Sequence, residues 1–330
     1  MSPTQSQTSP LSPKTGFHRE AGMAVSKARR VFEGWRALSF GERASLLEKV
    51  QRGLAREPES WAAWVAEENG KPVLEALGAD VFGSLEALRV LLREGERWVS
   101  AQKIPVTLFD WMRGVRGRQI VYEPIGLIGI IGTWNYPLLI NLQQIAGALL
   151  CGNVVVWKPS EFSPNVAGRV EQLFRKAGFP EGVFTVFPGD GQMGEALIRA
   201  GCDKILFTGH GQTGRRILSL LAEQGVPAIL ELSGMDAALV CKDADLAHAV
   251  RALTWGSMTN SGQSCSASRR LIIHQAVFDR FSADLIEAVR ALRVGDPTDP
   301  ATEIGPLRTK EQAQRLGELI EDAVSKGARL

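Results

Sequence analysis

A cysteine lies in a run of glycine and small polar residues, Asn260-Ser261-Gly262-Gln263-Ser264-Cys265, and this is where the sequence first offers a nucleophile. Such a loop leaves a thiol open to an approaching electrophilic carbon, and the nearby Arg269 and Arg270 can favour the thiolate. Most free thiols are buried hydrophobes, so the loop alone decides nothing. Four other segments bear on it. Gly126 to Pro137 reads GLIGIIGTWNYP, an apolar strand ending in a loop that displays Trp134, Asn135 and Tyr136. An Asn amide there can donate to a developing oxyanion, or only hold its own turn. Val154 to Glu161 reads VVVWKPSE and brings Lys158 and Glu161 to the end of a buried strand. A carboxylate at that edge accepts from ribose hydroxyls or caps the next helix. Phe207 to Gly214 reads FTGHGQTG, in which Gly209, Gly211 and Gly214 allow close backbone approach before a helix N-terminus suited to a pyrophosphate. Its spacing is not GxGxxG throughout, and an ordinary turn gives the same letters. Glu231-Leu232-Ser233-Gly234 closes another strand, where a carboxylate facing a cleft can act as a general base once desolvation raises its pKa, or merely end the strand.

Positioning these groups requires a particular order of elements. Apolar residues recur at helical spacing from Met23 to about Val99, as in Val25, Ala28 and Phe32, then Leu46, Leu47, Val50 and Leu54. Residues 103 to 122 read as two extended runs, Ile104 to Phe109 and Arg118 to Tyr122, around a turn at Arg113-Gly114: a β-hairpin or bridging arm. After Pro124 the chain alternates between strands at 126–131, 154–158, 183–187, 204–207 and 228–232 and helices at 142–150, 165–177, 193–200 and 213–223. That alternation predicts an α/β fold with a doubly wound, mostly parallel sheet, which binds ligands beyond its strand C-termini. A second α/β segment follows from Asp236, with a helix at 246–259, the Cys265 loop, a strand at 270–273 and helices from Ala276 and Lys310. The expected organisation is a dinucleotide-binding unit made of 17–102 and 123–234, the arm at 103–122, and a catalytic unit at 235–330.

Composition narrows the function further. The chain has 330 residues, 45% of them hydrophobic, which is enough for two cores. Lys and Arg number 38 against 36 Asp and Glu, and no long single-sign block suits a nucleic-acid backbone. Residues 1–16 are rich in Ser, Thr, Gln and Pro and are expected to be a disordered tail. With no signal-peptide pattern and with glycines, Asn135 and Pro137 breaking the most apolar run, a cytoplasmic protein without a membrane span is expected. Cysteines at 151, 202, 241 and 265 form no CxxC pair and have no His at metal-ligand spacing, so no metal site is expected.

As an ordered set the five segments resemble the aldehyde dehydrogenase superfamily, from about Met23 to Leu330. The wording GTWNYP, KPSE and NSGQSC is most similar to the branch of the fatty and aromatic aldehyde dehydrogenases. The resemblance implies that Cys265 is the nucleophile, Asn135 the oxyanion donor and Glu231 the base that activates water. It also implies a cofactor set in which Lys158 and Glu161 meet the adenosine ribose, Gly209 and Gly214 form the pyrophosphate turn, and Trp134 completes the group. NAD or NADP, an aldehyde substrate and a homodimer belong to the same implication. Two letters depart from the family pattern: His210 stands where a small Ser is usual, and Ser233 where Gly is usual. Family members also run on through a Glu-x-Phe-Gly-Pro segment and a strand of the dimer sheet, so a C-terminally truncated version is expected. Three readings stay open: a working aldehyde dehydrogenase, a cofactor-binding remnant without turnover, and a cofactor-free cysteine hydrolase. The last needs one of His18, His210, His248 or His274 beside Cys265.

Overall fold

The computed structural model describes residues 13–330. Most of the tail expected at 1–16 therefore lies outside the described residues, while Pro13 already begins a helix. That helix, α1 (Pro13–Arg36), buries Ala21, Val25, Ala28 and Trp35, which share one stripe at helical spacing. In α2 (Phe40–Arg56) the start is fixed by a capping box, with Ser39 and Glu42 each accepting from the other's backbone N–H, and Leu47, Val50 and Leu54 face inward. α3 (Pro58–Asn69) ends on Gly70 in the left-handed region, φ 91°. A short α4 (Val73–Glu75) then runs without a break through a π-helical stretch, Ala76–Phe82, into α5 (Gly83–Val99).

The expected hairpin is present but differently built. β1 (Gln102–Ile104) pairs antiparallel with β2 (Arg118–Ile120), and between them Leu108–Met112 forms a helical turn, α6. Leu108 and Phe109 belong to that turn and not to a strand, because Thr107 and Asp110 close a capping box around it.

The alternating stretch becomes a five-stranded parallel sheet in the order β5-β4-β3-β6-β7. Its strands are β3 (Leu127–Ile131), β4 (Val154–Lys158), β5 (Phe184–Val186), β6 (Lys204–Thr208) and β7 (Ala228–Glu231). The crossovers are α7 (Leu139–Leu150), α8 (Pro164–Ala177), α9 (Gly191–Arg199) and α10 (Gly211–Ala222). Every residue of β3 and β4 is buried, as expected of central parallel strands covered by helices. From β3 the chain builds outward through β4 to β5, then returns to the other side of β3 for β6 and β7. The C-terminal ends of β3 and β6 thus flank the switch point, the usual place for a ligand in such sheets.

Beyond β7, β8 (Asp236–Val240) and β9 (Ser268–Ile273) form a separate two-stranded parallel sheet. α11 (Leu246–Met258) and α12 (Phe278–Arg290) pack over it around Val240, Val250 and Phe281. α13 (Lys310–Ser325) follows with no buried residue. Among the described residues no helix is long and apolar enough to cross a membrane.

Candidate active site

Three neighbouring strands end at one edge of the sheet, and their following residues form the walls of a cleft of about 240 Å³. After β3 come Thr133, Trp134 and Asn135; after β6, Gly209 and His210; at and after β7, Glu231, Leu232 and Ser233. Cys265 and Gln263 enter from the opposite side on the loop before β9. Cys265, Asn135 and Glu231, separated by up to 130 residues in the chain, therefore face one space. The Cys265 thiol is exposed there. By contrast the Cys202 thiol is sealed in the core, and burial pushes its pKa up to about 12.

The loop that bears Cys265 has a constrained backbone. Asn260 and Ser261 both take left-handed conformations, φ 54° and 55°, before Gly262 at 72°. Non-glycine residues hold such conformations only where their surroundings enforce them. Here the enforcement is explicit. Asn260 is fully buried and its Nδ2 donates to the Asn135 carbonyl at 3.0 Å, while Ser261 Oγ donates to the Gly305 carbonyl at 2.7 Å. Gly234 completes the fit, since a Cβ at that position would stand 2.5 Å from the Cys265 carbonyl oxygen.

Asn135 is oriented from both ends of its amide. Thr133 Oγ1 donates to its Oδ1 at 2.8 Å, and its Nδ2 donates to the Gln263 carbonyl at 3.1 Å. An amide nitrogen carries two N–H bonds, so one remains to point at a ligand oxygen in the cleft. The same loop is clamped from below. Lys71 Nζ donates to the Asn135 carbonyl at 2.9 Å, Asn69 Nδ2 donates to the Trp134 carbonyl at 3.0 Å, and the Lys71 ammonium lies 3.8 Å from the Tyr136 ring centroid. Lys71 is paired with Asp80 at 2.7 Å, with both side chains fully inaccessible. The second Asp80 oxygen accepts from the backbone N–H of Leu138 at 3.2 Å, at the start of α7. Burial also raises the Tyr136 hydroxyl to about 12 and lifts the Glu75 carboxyl above the ordinary carboxylate range.

Asn69, Lys71, Glu75 and Asp80 carry no mark in the sequence reading, and Asn260 enters it only as the first letter of the Cys265 segment. A lysine and an aspartate nine residues apart, inside or beside helical runs, could have signalled a buried pair. The π-helical stretch that carries Asp80 gives no sequence signal.

Other expectations change in detail. Arg269 Nη2 donates to the Ser264 carbonyl at 2.8 Å and Nη1 to the Gly234 carbonyl at 3.2 Å; Arg270 Nε donates to the Met235 carbonyl at 2.9 Å. These guanidiniums tie the loop to the end of β7, and neither donates to the sulfur. Glu231 stands exposed at the end of β7, not in a closed cleft. His210 takes over the work of a small cap: its Nδ1 accepts from the Gln212 N–H at 3.2 Å at the start of α10. Of the four histidines it alone lines the cleft.

A second cleft of about 570 Å³ opens between α9 and α10 and adjoins the first across the turn 210–213. Lys158, Gly194, Thr213 and Ile217 are among its walls. The Lys158 ammonium pairs with Glu161 at 2.9 Å, and Glu161 itself faces a neighbouring smaller recess. Gly209 lines the Cys265 cleft, whereas Gly214 is buried: a Cβ there would come 2.6 Å from Leu232 Cδ2, so glycine lets α10 approach β7. At the first turn of α10 the N–H groups of Gly211 and Thr213 have no intrahelical acceptor, which leaves donors for an anionic group between the two clefts.

Residues 3–330 match the model of the Aldehyde dehydrogenase family. Retinal dehydrogenase 2 of Rattus norvegicus is 36% identical over 313 residues, an alignment covering 93% of this chain and 59% of that protein. The crystal structure of an E. coli NADP dependent enzyme superposes with a TM-score of 0.88 at 31% identity, covering 94% of this chain and 64% of the other. The NAD+ complex of aldehyde dehydrogenase from Bacillus cereus gives 0.88 at 32% identity, with 94% and 63% covered. The chain thus spans about three fifths of the length of the curated relatives it matches. With the family match running over nearly its whole length, the chain belongs to the aldehyde dehydrogenase family.

Proposed function

We propose that this chain carries the machinery for NAD(P)-dependent oxidation of an aldehyde to a carboxylic acid, and that Cys265, Asn135 and Glu231 perform it. The observation supporting this is their convergence on one cleft, beside a second cleft with free helix N–H donors. The thiolate of Cys265 attacks the aldehyde carbon, forming the C–S bond as the carbonyl electron pair moves to oxygen. The free N–H of Asn135 and the Cys265 backbone N–H stabilise that oxyanion. A nicotinamide held by the cofactor residues would supply the acceptor for the hydride that this carbon gives up. A thioester remains on Cys265; Glu231 takes a proton from water, the hydroxide adds, and the C–S bond breaks to return the thiolate and release the acid. Lys158, Glu161 and the 209–214 turn are the residues we assign to the cofactor, with Gly214 acting through packing and Trp134 from the wall of the Cys265 cleft. A carboxylate at 161 suits ribose hydroxyls and its partner Lys158 suits a 2′-phosphate, so the site is read as accepting NAD or NADP. We assign residues 17–102 and 123–234 to cofactor binding, 235–330 to the nucleophile, and the arm at 103–122 to homodimer contact.

A second reading, cofactor binding without turnover, is favoured by the exposure of Glu231. One experiment separates the readings. Under the first, NAD(P)H forms only when an apolar aldehyde is present, and Cys265→Ala lowers the rate by roughly 10⁴-fold or more. Under the second, the cofactor binds and an alkylating agent labels Cys265, yet no aldehyde drives reduction. Ester hydrolysis through Cys265 with no aldehyde-dependent reduction would point to a hydrolase using His210.

A further inference from the structure

On the side of the molecule built by α2, α3 and α8, a groove of about 490 Å³ collects charge of one sign. Lys49, Arg52 and Arg56 come from α2, Arg169 and Lys176 from α8, and Glu57 is the only carboxylate among the lining residues. Gly53 lets the helices close on each other, since a Cβ there would stand 2.5 Å from Leu173 Cδ1; Leu173, Ala177 and Trp61 form the apolar floor. None of these residues lines the clefts of Cys265 or Lys158.

The charge is unusual for this chain. Its formal net charge is only +2, and many of its surface cations sit opposite a carboxylate. In the groove only Arg52 has an ion-pair partner, Glu48 at 3.4 Å, and among the described residues the other four cations form none. Two of them have a local reason: Arg56 and Lys176 fall in the last turns of their helices, where the dipole favours a cation. Lys49 and Arg169 have neither a partner carboxylate nor such a position, and like charges gathered across one groove repel. Arg169 is further prepared for a ligand. Its guanidinium carbon lies 3.3 Å from the Trp64 ring centroid, a cation–π contact that holds the group at the groove, and among the described residues it donates no side-chain hydrogen bond. A planar fork with several free N–H donors, with flexible ammonium groups around it, matches the oxygens of phosphoryl groups. The concave shape and small volume suit a small molecule better than a flat polymer or lipid surface.

We propose that this groove is a binding site for a small soluble polyanion carrying two or more phosphoryl groups, separate from the cofactor site. The test is titration calorimetry of the full chain with inorganic tripolyphosphate and pyrophosphate at low and physiological salt, repeated with NAD at saturation. Saturable binding that persists with NAD bound, and weakens at least tenfold in both Lys49→Ala/Lys176→Ala and Arg169→Gln, is the expected result. A control, Lys242→Ala/Arg290→Ala, removes equal charge elsewhere and should bind as the unaltered chain does. Citrate, close to pyrophosphate in charge but with carboxylate oxygens, should bind at least tenfold more weakly than pyrophosphate. The proposal is overturned by absence of saturable binding, by competition from NAD, by equal weakening in the control, or by citrate binding equally well.

Discussion

The two parallel sheets are built from similar apolar strands, yet they differ sharply in what surrounds them. In the five-stranded sheet, β3 and β4 are buried throughout and a continuous core runs from Ala21 to Leu221. Around the two-stranded sheet the buried cluster is only Val240 with Val250 of α11 and Phe281 of α12, while Leu239 is 72% exposed and Ile272 54%. The first sheet carries Asn135 and Glu231; the second carries the nucleophile. The site is therefore assembled between a well-packed side and a sparsely packed one, with the first positioning the second. The ties include Asn260 Nδ2 to the Asn135 carbonyl, Asn135 Nδ2 to the Gln263 carbonyl, and Arg308 Nη2 to the Phe162 carbonyl.

The sharpest way to break that contrast is at Lys71, which lies under the junction. Lys71→Met leaves Asp80 charged and buried without its partner, and losing one member of a buried pair costs about 3–5 kcal/mol. Denaturant unfolding followed by tryptophan fluorescence should show that loss across the whole transition; an unchanged midpoint would mean that the pair does not anchor the larger core. Next comes Phe281→Ala, expected to cost roughly 3 kcal/mol in the small core. Hydrogen exchange should then rise only in residues 236–290 while cofactor affinity stays within about twofold. Loss of cofactor binding would show that the two sheets fold as one unit.

Asn135→Ala probes the tie itself. It removes an oxyanion donor worth about 3 kcal/mol, so turnover should fall by roughly 10²–10³, and loss of the bonds to Thr133 and Gln263 should lower the unfolding free energy by about 1–2 kcal/mol. A fall in stability without a fall in turnover would assign Asn135 to structure alone. The smallest effect is at Glu75, one of whose oxygens is buried without a partner. Burial raises this carboxyl, so the folded state binds more protons than the unfolded chain between the ordinary carboxylate value and the raised one. Stability present below that window is lost as pH rises through it, and Glu75→Gln should flatten this slope in a series of denaturant melts. A slope identical in the variant would assign it to another group.

Much of the fold was legible because its signals are local. Val154 to Lys158 is a strand with the expected ends, and the alternation after Pro124 gave the parallel sheet, since helical and extended periodicities need only nearby residues. The arm was read less well, because the capping box of Thr107 and Asp110 turns an apolar run into a helix. At the site, residue types marked Cys265, Asn135 and Glu231, but neither the exposure of Glu231 nor the use of Arg269 and Arg270 as carbonyl ties could be read from letters.

By itself the sequence determined which chemical groups are available and that strand ends would display them, because side-chain identity and periodicity are properties of short stretches. Only the tertiary structure decided which of those groups share a cleft, and that Lys71, Asp80 and Asn260 hold the loops together beneath it. The physical reason is that burial and charge pairing arise from residues distant in the chain. Their energies exist only once the backbone has brought them within hydrogen-bond reach.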